Sequence, residues 1–295
     1  HFHEGDKRIF DNRVLRMVSR TIQSGVSCCL HTAHTFTVNG QEAQGKLLPI
    51  IDRRYMAMRA TFTLEKGQTL TVDKLTVVTT SRDLAYENLE NKAERAQEDG
   101  GRMMQQAIEA GYDALFAASC AKWAELWNKA DVRITSKRPF DQLMVRFALY
   151  HLNIMAKKDD NRVGIGAKGM TGEGYKGHSF WDTEIFILPY FTLTQPEAAR
   201  SLLEYRYRGL YGARRKAQEN GFEGAMYPWE AAWVDDGEVT PLWGAADVVT
   251  GKPMKILTGI IEQHITADVA FAVEQYFAVT GDQDFMDRCG YEMLI

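Results

Sequence analysis

The chain has 295 residues, 45% hydrophobic and 25% charged, with a net charge of -4 and a pI near 6.0. That is globular material, enough for one large core or two domains, and its slight acidity without any basic run excludes a nucleic-acid or anionic membrane-surface partner. No apolar stretch reaches membrane length, no signal-peptide pattern opens the chain, and Cys28, Cys29, Cys120 and Cys289 lack metal-ligand spacing or a disulfide framework, so the expected compartment is the reducing cytoplasm.

Residues 1–83 read as strands. The stretches 26–30, 34–38, 55–64 and 69–80 alternate or are rich in β-branched residues, with Asn39-Gly40 and Lys66-Gly67 as turn signals. From 84 to about 129 the pattern turns helical. Leu84, Leu89, Ala93 and Ala96 space as one helix and 112–127 as another, with Gly100-Gly101 and Gly111 between them as breaks. Trp123 and Trp127 lie four apart on one helix face, where helix packing explains them better than a sugar platform does.

A short strand is expected at 131–135, then a helix over 140–157 whose core stripe is Leu143, Phe147, Tyr150, His151 and Ile154. Further helices are expected at 185–193, 196–220 and 254–280. The C-terminal residues 291–295 read as an amphipathic helix without a cap, and with a first residue that is not methionine the chain reads as a fragment of a longer protein.

Between these helices lie two loops with unusual chemistry. The first, I-G-A-K-G-M-T-G-E-G-Y-K-G-H-S-F-W-D-T-E-I-F-I-L-P over 165–189, packs glycines before Trp181-Asp182. Glycines this dense mark a backbone that must bend sharply. The second, G-A-M-Y-P-W-E, ends on Trp229-Glu230. An indole beside a carboxylate suits a pyranose, whose C–H faces stack on aromatic rings and whose hydroxyls need fixed hydrogen-bond partners.

These two segments, together with H-I-T-A-D-V-A-F-A-V-E-Q-Y-F-A-V-T-G-D over 264–282, resemble the disaccharide phosphorylases of glycoside hydrolase family 65, which include maltose, kojibiose and trehalose phosphorylases. The resemblance runs from about residue 139 to the end and is looser upstream. It implies a mixed fold: the C-terminal part of an antiparallel β-sandwich at 1–83, a helical linker at 84–136, and the first half of an (α/α)6 barrel at 137–295. It also implies the reaction of an α-linked glucobiose with inorganic phosphate to give β-glucose 1-phosphate and a released sugar, with inversion. No cofactor or metal is then needed, phosphate being the co-substrate, and a homodimer is expected.

Carried over residue by residue, the resemblance assigns Trp181 and Asp182 to the glucosyl unit and Trp229 and Glu230 to the same pocket. It places the general-acid Glu in a G-P-D-E-Y-type motif that does not occur here and is expected beyond Ile295, as are the phosphate-binding residues. Structural alternatives stand beside each assignment. Trp181 could be buried with Asp182 capping a helix that opens at Thr183, and Tyr227-Pro228-Trp229 could brace a turn. Glu184 could be a first-turn acid favoured by the helix dipole, and His264 and Asp268, four apart, could pair with each other. His178 reads equally as a supporting group or a ligand. Asp235-Asp236-Gly237-Glu238 lacks the oxygen-ligand pattern of a calcium loop and reads as a solvated turn. The stretch 242–259 matches no motif and could shape the acceptor-sugar site. A hydrolase of trehalase or glucoamylase type, with Glu230 as base, and a non-catalytic carbohydrate-binding role remain the alternatives.

Overall fold

A computed structural model describes every residue except His1, Gln44, Met170, Thr171, Glu173 and the side chain of Ala245. Three positions of the glycine-rich loop therefore lie outside the described residues. The chain divides into two compact units, 1–124 and 125–295.

The first unit is an antiparallel sheet followed by a helix. Strands β1 (Phe2–Phe10), β2 (Val14–Thr21), β3 (Ser27–Val38) and β7 (Leu70–Thr80) lie in the order β1-β2-β3-β7, and short β4 (Gln41–Glu42) pairs with the end of β3. Strands β5 (Lys46–Asp52) and β6 (Tyr55–Thr61) form a separate hairpin. The expected breaks at 30–34 do not occur. Cys29, His31 and Ala33 are buried at a period of two, so a histidine that interrupts the apolar run still belongs to the inward face of one continuous strand. Strands β1, β2 and β5, mostly exposed or half-buried, carry little apolar alternation and so no clear strand signal in the sequence.

Helix α1 (Lys92–Ala130) runs through Gly100-Gly101, which is a correction to the expected break. A Cβ on Gly100 would stand 2.9 Å from His31 Cε1 and from Thr79 Oγ1, while Thr79 Oγ1 donates to Ala96 O at 2.6 Å. The glycine is there for close approach to the sheet. The real interruption is Gly111, at φ 77° and ψ 164°. The segment 84–91 is a short 3-10 turn, Leu84–Tyr86, followed by coil.

The second unit is helical. The expected strand at 131–135 is coil, because the Gln142 side chain takes its backbone groups: Ile134 N–H donates to Gln142 Oε1 at 2.7 Å and Gln142 Nε2 donates to Val132 O at 3.0 Å. In α2 (Pro139–Met155) the expected stripe is overturned, since Leu143 and Phe147 are 60% and 64% exposed. The helix is apolar on two faces, and polar contacts select the other. Asn153 donates to Tyr190 Oη and accepts from Gln195 Nε2, so Leu149, Leu152 and Ala156 turn inward.

A π-helical turn, Thr183–Ile187, leads into α3 (Leu188–Thr194), followed by α4 (Pro196–Arg208) and α5 (Leu210–Glu219). The expected helix at 254–280 is shorter. Strands β8 (Trp243–Ala246) and β9 (Pro253–Lys255) form a hairpin, α6 (Thr258–Ile261) is one turn, and extended Glu262 precedes α7 (Ile265–Thr280). Along α7, Ile265, Val269, Ala272, Val273 and Tyr276 make a single stripe against Phe191, Leu202 and Leu203. The C-terminal residues form short helical turns, α8 (Gln283–Phe285) and α9 (Tyr291–Leu294) flanking a π turn. No described helix is long and apolar enough to cross a membrane.

Gly100→Ala is expected to lower the stability of the first unit by about 1–3 kcal/mol through overpacking. Gly101→Ala, whose nearest atom is 3.7 Å away, should be neutral or stabilising by about 0.5–1 kcal/mol. Urea unfolding of the two variants separates the cases.

Candidate sugar-binding site

The two motif loops are joined edge to edge. Ser179 and Ala231 exchange backbone hydrogen bonds, each 2.9 Å, in antiparallel register. The bridge lies two residues from Trp181 in one loop and two from Trp229 in the other. On the other edge Ser179 pairs with Gly166, where a Cβ would come within 2.9 Å of the Gly177 backbone, so only glycine permits the approach. Tyr175, Lys176 and Gly177 turn this loop through three successive left-handed residues, with φ of 57°, 56° and 76°. Such a run costs roughly 1–2 kcal/mol for each non-glycine residue and persists only where the surroundings hold it.

Beneath the first loop lies a buried ion pair. Arg206, on α4, donates from Nε and Nη2 to both oxygens of Glu184 at 2.7 and 2.8 Å, and from Nη2 to Phe180 O at 2.9 Å; each residue is 2% exposed. Burial alone would depress the Arg206 guanidinium, but the Glu184 carboxylate raises it above its ordinary value. Glu184 is thus a structural anchor for the residues on either side of Trp181-Asp182.

The second loop is pinned along its backbone. Met226 N–H donates to Ala213 O of α5 at 3.0 Å and Tyr227 N–H to Thr266 Oγ1 of α7 at 3.0 Å. Trp229 N–H and Glu230 N–H both donate to the Glu238 carboxylate, at 2.9 and 3.1 Å. Glu238 also accepts from Lys216 Nζ at 2.5 Å and from Thr240 Oγ1 at 2.7 Å. Burial would raise its carboxyl, yet the Lys216 ammonium and the Thr240 hydroxyl hold it below the ordinary value of 4.5. The expected solvated turn at 235–238 is corrected here, because Glu238 turns inward with its side chain 18% exposed.

Trp181 and Trp229 meet around His264. Its ring stands edge-on to Trp181 at 4.8 Å and to Trp229 at 6.0 Å between centroids. His264 Nδ1 lies 2.5 Å from Asp268 Oδ2, the i, i+4 pairing that the sequence offered, and Nε2 is 3.6 Å from Glu262. Asp182 is half-buried, makes no helix-capping hydrogen bond and has no side-chain hydrogen-bond or salt-bridge partner among the described residues. Glu230 is turned elsewhere: its carboxylate meets His178 Nδ1 at 2.6 Å and it is 8% exposed. The structure therefore gathers Trp181 and Trp229 around one histidine, leaves the Asp182 carboxylate unengaged beside Trp181, and gives Glu230 to a bond between the loops. Two half-buried indoles and an unengaged carboxylate can stack on a pyranose and accept from its hydroxyls.

His264, Glu238 and Lys216 are the contributors that sequence reasoning did not place in the site. Glu238 carried no local signal beyond following Trp229-Glu230 at eight to nine residues. Among the described residues no group of three His, Cys, Asp or Glu could hold a metal ion.

The sheet unit, the helical unit and the paired loops are those of a known protein family. Residues 1–126 match the glycosyl hydrolase family 65 N-terminal domain and residues 146–295 the glycosyl hydrolase family 65 central catalytic domain. The chain belongs to glycosyl hydrolase family 65. A kojibiose phosphorylase from Halothermothrix orenii is 44% identical over the whole chain, which covers 38% of that protein. A kojibiose hydrolase from Flavobacterium johnsoniae is 38% identical over 62% of the chain, which covers 25% of that protein. A solved structure titled as a putative kojibiose phosphorylase from human microbiome superposes over 99% of the chain and 35% of its own length, with a TM-score of 0.72 at 21% identity, and shares the fold. The chain thus spans well under half the length of these relatives.

Arg206→Met strands the Glu184 carboxylate and is expected to cost about 3–5 kcal/mol, whereas the double change Arg206→Met with Glu184→Met should recover most of that loss. Denaturant midpoints test this pair. The stability contributed by Glu238 follows from its lowered pKa: it is fully present above about pH 4.5 and is lost as the pH falls through the depressed value. The difference in thermal midpoint between wild type and Glu238→Gln, followed from pH 7 to 3, should shrink only below pH 4.5.

Proposed function

We propose that this chain supplies the glucosyl-binding half of an inverting disaccharide phosphorylase, acting on an α-linked glucobiose and inorganic phosphate. The observation that carries the reading is the convergence of Trp181 and Trp229 on His264, with the unengaged carboxylate of Asp182 next along the chain from Trp181, in a chain whose family includes kojibiose phosphorylases. In this reading the indoles pack on the C–H faces of the glucosyl ring, and the Asp182 carboxylate accepts from its hydroxyls. Glu230 supports the pocket indirectly, through His178 and the loop junction.

A phosphate oxygen attacks the anomeric carbon from the face opposite the glycosidic oxygen. The C–O bond breaks, the departing oxygen takes a proton, and β-glucose 1-phosphate and a free sugar result. Because phosphate is itself the nucleophile, no carboxylate base is needed, which agrees with Glu230 being buried against His178 rather than facing open solvent. The proton donor and the phosphate ligands are assigned to segments other than these 295 residues, and no cofactor enters. Kojibiose is the first substrate to examine, with maltose, nigerose and trehalose as its competitors; the hairpin at 242–259 is the candidate wall for the acceptor sugar. Four unpaired cysteines, one buried pair member beside a half-buried neighbour at 28–29, support a reducing, cytoplasmic setting. Homodimerisation is checked by sedimentation.

The test incubates the full-length protein with each disaccharide, with and without phosphate. Glucose 1-phosphate formed only with phosphate is the expected outcome, and Trp181→Ala or Asp182→Asn should reduce kcat/KM by about a hundredfold or more. Free glucose without phosphate would establish the hydrolase instead, the activity named for the Flavobacterium johnsoniae relative.

A further inference from the structure

We infer that Glu238 is a positioning residue of the sugar site, its carboxylate setting where Trp229 stands by holding two consecutive backbone N–H groups, with Lys216 as its buried counter-ion. The inference rests on the sugar-binding reading of the loops and adds a residue to it.

Two successive N–H groups pointing to one side form a concave donor pair, which an anion satisfies better than a single neutral acceptor. At Trp229 and Glu230 that anion is Glu238, with donor distances of 2.9 and 3.1 Å. Three further donors fix the carboxylate itself: Lys216 Nζ at 2.5 Å, Thr240 N–H at 3.2 Å and Thr240 Oγ1 at 2.7 Å. Its orientation is therefore set independently of the loop it holds. Lys216 lies on α5 with its side chain 4% exposed, so the bracket connects the loop to a helix packed into the core.

Stability alone does not account for this arrangement. A buried ion pair is a weak source of net stability, because desolvation of both ions offsets their attraction. A turn at Pro228 could be closed with backbone bonds only. What the carboxylate adds is a fixed direction at one point, the Trp229 backbone, whose indole stands edge-on to His264 and Phe180. Glu230 is held twice, at its N–H by Glu238 and at its carboxylate by His178, so the chain cannot rotate about Trp229 without breaking one of them. Sites that bind with defined geometry need support of this kind behind the contacting groups.

The test uses the full-length protein and the double variant Lys216→Met with Glu238→Gln, which removes both charges together and strands neither. Thr240→Val, which removes only the hydroxyl orienting Glu238, is the milder second variant, and Trp181→Ala is the control for the sugar reading. Glucose affinity is measured by calorimetry, and backbone hydrogen exchange is followed by mass spectrometry in the peptide carrying Trp229 and Glu230. For the double variant the expected result is a weakening of glucose binding by about tenfold to a hundredfold, with faster exchange confined to that peptide. Thr240→Val should shift both readouts in the same direction by a smaller factor and keep the wild-type melting temperature within a few degrees.

If the double variant is folded and keeps wild-type affinity and exchange, the inference is overturned while the sugar site stands, provided Trp181→Ala has lost binding. If the double variant does not fold, wild-type affinity in Thr240→Val overturns it. Absence of glucose binding in the wild type would sink the sugar reading, and this inference with it.

Discussion

The pairing of Arg206 with Glu184 is the constraint on which the site depends. One guanidinium satisfies a carboxylate at the head of the π turn and the carbonyl of Phe180 just before Trp181, so the segment that presents Trp181-Asp182 is clamped on both sides. Neither charge reaches solvent. Burying two ions costs desolvation, and only a bidentate geometry with an additional carbonyl acceptor offsets it. The wide π turn at Thr183–Ile187 fits the same purpose, because it turns Glu184 inward beneath the loop while Asp182 stays half exposed above it.

A second buried pair repeats this solution in the other loop. Lys216 and Glu238 hold Trp229-Glu230 as Arg206 and Glu184 hold Trp181-Asp182, each with its cation on a helix of the same bundle. The Ser179–Ala231 bridge then fixes one loop against the other. Three contacts of different chemistry, two ionic and one backbone, thus hold the two loops that carry the indoles. Apolar packing could not do so as sharply, since it tolerates sliding of loops over a core, whereas a bidentate carboxylate has one good geometry.

The parts legible in the sequence were those with dense local signals. The glycine-rich loop, the two aromatic-acid pairs and the His264–Asp268 spacing all depend on residues within a few positions of one another. Strand-rich and helix-rich halves were legible as well, because period-two and period-3.6 patterns are local. What was not legible depended on distant partners. Gly100 reads as a helix break until His31 and Thr79, far along the chain, show why a side chain is excluded there. The stripe of α2 was assigned to the wrong face because two apolar faces give equal periodicity, and Asn153, with partners on α3 and at Gln195, decides between them. Glu238 looked like part of a polar turn because nothing in D-D-G-E reports the lysine 22 residues earlier that it meets.

The same distinction separates the residues that contact sugar in this reading from those that hold them. Trp181, Asp182 and Trp229 are half-buried, with the Asp182 carboxylate unengaged, as groups must be if they exchange partners with a ligand. Glu184, Arg206, Lys216 and Glu230 are under 9% exposed and each is bonded to a protein partner. A side chain committed in this way cannot turn to a ligand without releasing the loop it secures. In the proposed reading Glu230, although it sits in an aromatic-acid motif, serves better as a brace than as a base, and the nucleophile would be a co-substrate that arrives with its own charge. In the phosphorylase reading proposed above, that is what this part of the chain would supply: a braced seat for the glucosyl ring, with Glu230 held by His178 rather than competing with phosphate at the anomeric carbon.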